Sequence, residues 1–118
     1  MKNYNKTHVS EGARTELHDL LGLTGAEISL NTLPTGAGVP FVHKHTNNEE
    51  VYGVLAGKGH ALIDGETVEL NTGDWVVIQP NGARQFCADA DSSITFVCIQ
   101  TAANSLKAFT ADDAKIVE

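Results

Sequence analysis

With 118 residues, 42% of them hydrophobic, the chain can bury one ordinary core and is too short for two, so a single domain spanning 1–118 is expected. A formal charge of -7 would repel the phosphate backbone of nucleic acid and anionic membrane surfaces alike, and neither is an expected partner. The opening "MKNYNKTHVSEG" has no apolar signal region, and no segment approaches the roughly 20 apolar residues of a membrane span, so a cytoplasmic location is expected.

In chain order, "RTELHDLLG" (14–22) predicts a short helix with Leu17, Leu20 and Leu21 on one face and Gly22 as its stop. From there on the signals are those of strands. "AEISLNTL" (26–33), "VYGVLAG" (51–57), "HALIDG" (60–65), "ETVEL" (66–70), "WVVIQ" (75–79) and "SITFVCIQ" (93–100) are short and rich in β-branched residues. Gly, Pro, Asp or Asn bounds each of them, and Asp64-Gly65 between two such runs predicts a hairpin. Many short strands spaced by about ten residues predict an all-β sandwich or barrel. Residues 84–88 and 94–100 would form a further hairpin closed by "DADSS". That register offsets Cys87 from Cys98 beyond disulfide reach, and in the cytoplasm both would stay reduced. The tail after Ser105 is polar and short.

The stretch "VHKHTNNEEVYGVLAGKG" (42–59) carries the chemistry. Side chains alternate along a strand, so His43 and His45 project to one face and Lys44 to the other. After the turn "TNN", one carboxylate of Glu49-Glu50 can come back toward the imidazoles. Two neutral imidazole nitrogens and one carboxylate oxygen form a facial set that serves iron, manganese, nickel and zinc alike, with positions left open for substrate. An exposed polar strand edge would show the same residues. Tyr52 shares its face with Glu50 and can line a cavity or fill a core. His60, beside a hairpin, is expected to face outward. In "WVVI" Val76 and Ile78 form one face, while Trp75 and Val77 form another that an isolated sandwich would leave wet. Leu62 behaves likewise, and a homodimer is the expected cover.

The wider pattern resembles the cupin superfamily. Its first motif, G-x5-H-x-H followed by E and then G, matches "HKH", "TNN", Glu49-Glu50 and "VYGVLA" before Gly57, although Gly36 and Gly38 flank the expected first glycine. The second motif, from G-D through an apolar strand to a proline and a histidine, matches "GDWVVIQPNGARQF" (73–86) in all but that histidine. The resemblance covers about residues 26–100 and implies a double-stranded β-helix, or jelly-roll barrel. It implies that His43, His45 and Glu50 are metal ligands inside the barrel, with Glu49 facing solvent.

The missing histidine falls on Arg84 when counted from Gly73 and on Gln85 when counted from Pro80. A Gln carbonyl can ligate a hard ion weakly; a guanidinium is a permanent all-donor cation and binds an oxyanion instead. Phe86 shares parity with Arg84 and wants burial, which favours Arg84 inward, paired with Glu50 or with a bound anion. The expected cofactor is a divalent transition metal ion and the expected partner a small molecule. Two functions fit. One is a metal-dependent oxygenase, isomerase or lyase acting on a small oxygenated or anionic substrate, with Arg84 and Tyr52 as substrate contacts. The other is a non-catalytic ligand-binding or sensing domain, metal-free or with a structural ion.

Overall fold

β-Branched and aromatic residues alternate with small or polar ones through most of the chain, and the backbone follows them into strands. A computed structural model describes residues 3–107 and 110–117. In order these form β1 (Arg14–Glu16), α1 (His18–Leu21), β2 (Glu27–Leu33), β3 (Asn48–Ile63), β4 (Glu66–Asn71), β5 (Trp75–Ile78), β6 (Arg84–Ala88), β7 (Ile94–Ala102) and α2 (Thr110–Asp113). Two antiparallel sheets share β3. Its first half lies between β7 and β5, in a sheet that continues through β2 to β1. Its second half lies between β4 and β6. This is the expected jelly-roll barrel.

One long strand can serve both sheets because it changes hand in the middle. The β3–β7 register slips between Val54 and Ala56, and Gly57 then takes φ 74, where a Cβ would overlap the Ser93 carbonyl. An extra residue in a strand reverses which side chains face inward. Glu50, Tyr52 and Val54 point into the barrel before the bulge; Gly59 and Ala61 do so after it. Val54, Ala61, Leu70, Ile78, Ile94 and Phe96 are buried in the core, and the Tyr52, Phe86 and Phe96 rings pack together at centroid distances of 4.1 to 5.9 Å. Asp64 (φ 50) and Gly65 (φ 82) turn the chain from β3 into β4, as the hairpin signal predicts.

Several local expectations are corrected. The helix over 14–22 shrinks to His18–Leu21, because Arg14–Glu16 pairs with β2 and a sheet ladder outweighs the propensity of so short a helix. The runs 51–57 and 60–65 are one strand, since their glycines make a bulge rather than a turn. Residues 84–88 and 94–100 do not pair: β6 joins β3, and β7 lies between β2 and β3. Cys87 and Cys98 are free thiols on strands of different sheets. Trp75, Val77 and Leu55 are exposed on the outer face of the first sheet, while Leu62 is exposed on the second sheet, beyond the bulge. No helix among the described residues is long and apolar enough to cross a membrane.

Candidate metal centre

The segment between β2 and β3 runs along the free edge of β6 and is held there by backbone pairing. His43 N–H donates to the Arg84 carbonyl at 3.0 Å, and Arg84 N–H donates back to the His43 carbonyl at 2.9 Å. A further bond from Asn81 N–H to the His45 carbonyl, 2.7 Å, fixes the second histidine. Both imidazoles therefore reach Glu50 on β3. His45 Nε2 lies 3.2 Å and His43 Nε2 3.7 Å from Glu50 Oε1, and one ligand atom from each residue falls within 4.8 Å of the others. Ligand atoms each about 2.1 Å from one ion stand about 3 to 3.5 Å apart, so donor types and spacing both fit a divalent transition metal.

Glu50 is 4% exposed and surrounded by donors. Its Oε1 accepts from Tyr52 Oη at 2.7 Å and from Arg84 Nη1 at 3.2 Å; its Oε2 accepts from Cys98 Sγ at 3.1 Å and Gln100 Nε2 at 3.5 Å. Burial alone would raise the carboxyl pKa, but the Tyr52 and Cys98 bonds and the charges of His45 and Arg84 outweigh it and hold it below 4.5. Burial pushes the Tyr52 phenol far up and the Cys98 thiol up to about 12, and Glu50 adds to both. Both groups are thus proton donors to an ionised carboxylate. Burial also lowers His43, against the pull of Glu50, so this imidazole stays neutral and able to ligate near neutral pH.

A cavity of about 520 Å³ opens in front of the cluster, with His43, His45, Glu50 and Tyr52 on its wall. Leu33, Val39, Phe41 and the phenyl rings of Phe86 and Phe96 supply apolar surface, and Arg14, Asn31, Gln85 and Gln100 supply polar groups. Arg84 is completely buried and does not border the cavity, whereas Gln85 does. Gln85 commits its amide nitrogen to the Val39 carbonyl at 2.7 Å. The Tyr52 hydroxyl is committed to Glu50. His60 stands apart on the outer side, 3.1 Å from Asp89.

Sequence reasoning missed Arg14, Asn31, Cys98 and Gln100. The signal lay in β2, where Ser29 and Asn31 are buried and Ile28 and Leu30, the residues that pattern alone would place inside, are only partly covered. Asn31 Nδ2 donates to Ser29 Oγ at 3.0 Å, and Arg14 Nη1 donates to Asn31 Oδ1 at 2.8 Å. Polar residues in the inward phase of a strand mark a barrel end built around polar contents.

The family model described as a cupin domain matches residues 29–100, and the chain belongs to that family. A crystal structure of a cupin protein from Bacteroides fragilis is 57% identical, with all of both chains covered and a TM-score of 0.97. An uncharacterised protein of Methanocaldococcus jannaschii is 27% identical over 73% of this chain, a match that spans 64% of that relative's own length. A putative sugar phosphate isomerase from Acidithiobacillus ferrooxidans shares the fold at 24% identity, with 75% of this chain and 57% of that one covered and a TM-score of 0.65.

Proposed function

We propose that this cupin binds one divalent transition ion through His43, His45 and Glu50 and acts on a small oxygenated or anionic organic molecule held in the adjoining cavity. The convergence of two imidazole nitrogens on one buried carboxylate oxygen carries the reading. When bound, the ion would supply Lewis acidity at positions open to the cavity. Tyr52 and Cys98 hold Glu50 in place, and Leu33, Phe41 and Phe96 keep water from part of the wall. Arg84 acts on a ligand by its charge rather than by contact, since it is fully buried and does not border the cavity. Elemental analysis of purified protein tests the reading: the parent should carry about one ion per chain, and the His43→Ala, His45→Ala double variant none. Equal metal content in the two overturns it.

A second reading, a metal-free ligand-binding domain, draws on the Arg84–Glu50 ion pair, which already neutralises the carboxylate. Metal-free parent protein that still binds a small carboxylate would decide for it. The apolar outer face of Trp75, Val77 and Leu55 suits pairing with a second copy of the chain. Light scattering at micromolar concentration should give twice the chain mass, and a clean monomer refutes the pairing.

A further inference from the structure

Arg84 is the one fully buried charged side chain among the described residues, and its surroundings are short of anions. A guanidinium keeps its charge at any ordinary pH, so burial leaves it dependent on a counter-ion. That counter-ion is Glu50, 3.2 Å from Nη1; Nε and Nη2 are buried and have no hydrogen-bond partner among the described residues. Glu50 is also the carboxylate a dication at this centre would use, and among the described residues it is the only carboxylate on the cavity wall. One carboxylate cannot neutralise a guanidinium and a dication together. Placed within a few ångströms of each other, the two cations repel strongly enough to cost about tenfold or more in metal affinity.

The cavity's other charge has the same sign. Arg14 borders it from β1, and its field reaches Cys98 at the Glu50 end. Arg14 has a partner of its own, Glu16 Oε1 at 3.0 Å, so the cation left short of an anion when a dication takes Glu50 is Arg84. With metal alone, the dication, Arg84 and Glu50 carry a net charge of about +2, and a carboxylate that enters beside the metal lowers it to about +1.

Building on the metal reading above, we propose that the centre binds its dication together with a small carboxylate, and that Arg84 is the residue that makes each depend on the other. Linkage requires the dependence to be reciprocal: the anion tightens metal binding by the factor by which the metal tightens anion binding. The apolar patch of Leu33, Val39, Phe41 and Phe96 favours a carboxylate with a short apolar body over inorganic phosphate or sulfate.

The test is titration of the metal-free full chain with Co2+, followed by calorimetry and by the visible absorbance of the bound ion. Each titration is run in a non-coordinating buffer with acetate and with perchlorate at matched ionic strength. Acetate should tighten Co2+ binding by about tenfold or more, and Co2+ should tighten acetate binding equally. Arg84→Gln should bind Co2+ about tenfold more tightly without acetate and lose the acetate effect. Arg84→Met provides the same change of charge in an apolar side chain, with circular dichroism to confirm the fold, and the parent's own acetate response needs no variant. Tight Co2+ binding that is indifferent to acetate overturns the inference and leaves the metal reading standing. An acetate response unchanged in both variants overturns the role of Arg84. Failure of parent and variants alike to bind Co2+ overturns the metal reading, and the inference with it.

Discussion

The two halves of β3 are continuous in backbone and opposite in content. Before the bulge the strand turns Glu50 and Tyr52 inward, to a carboxylate centre and a cavity; after it, Gly59 and Ala61 face a close-packed core. The first half carries groups that are costly to bury, and the second supplies the apolar contacts that offset the cost. In a chain this small, the strand that carries these buried polar groups also runs through the core.

The sharpest way to break that contrast is at Glu50. Glu50→Ala leaves Arg84 buried without its partner and should destabilise the fold by about 3 to 5 kcal/mol in urea denaturation. Replacing both residues, Glu50→Leu with Arg84→Met, should recover most of that loss while removing metal binding, because the pair serves the site more than the fold. If the double variant is no more stable than Glu50→Ala, the pair contributes to folding in its own right.

Next in size is the bulge. Gly57→Ala places a Cβ against the Ser93 carbonyl at φ 74 and should cost about 3 kcal/mol or more. Gly65→Ala, at φ 82 but in open space, should cost only about 1 kcal/mol. Equal losses would mean that backbone conformation alone, and not the crossing between sheets, sets the demand for glycine at 57.

The smallest expected effect is one of pH. Burial holds the His43 pKa below its ordinary 6.5, so the imidazole competes for protons less than an exposed one. Metal affinity should stay level from pH 8 down to about 6.5, then weaken as protons displace the ion through and below that value. A Co2+ titration series reads this directly. A fall that begins well above pH 7 would mean that His43 does not sit in the shielded position described.

The parts of the fold legible in sequence were those set by neighbours in the chain. Asp64-Gly65 marks its own turn, whereas His43 and His45, expected on one face of a strand, lie in an irregular segment that an isolated bridge at His43 ties to β6. What could not be read was partnership across the chain. Gly57 and Gly59 look like turn residues until Ser93 and Cys87 are seen pressing against them. Arg14–Glu16 looks helical until β2 offers it a ladder. In β2, Ile28 and Leu30 invite an inward assignment that Ser29 and Asn31 take instead, because this end of the barrel holds polar contents. The orientation of Arg84 was argued from the parity of Phe86, a local cue; that Gln85 would border the cavity as well depends on the Val39 segment and has no local signal.

Trp75 is the chain's sole tryptophan, and it lies across the bare backbone of Gly53, one residue from Tyr52 but on the opposite face of the sheet. The residue is 58% exposed. Intrinsic fluorescence excited at the indole should therefore be red-shifted and should respond weakly when the cavity fills. It should respond strongly when the outer face is covered, so the emission wavelength reports association between molecules and the centre needs a probe of its own.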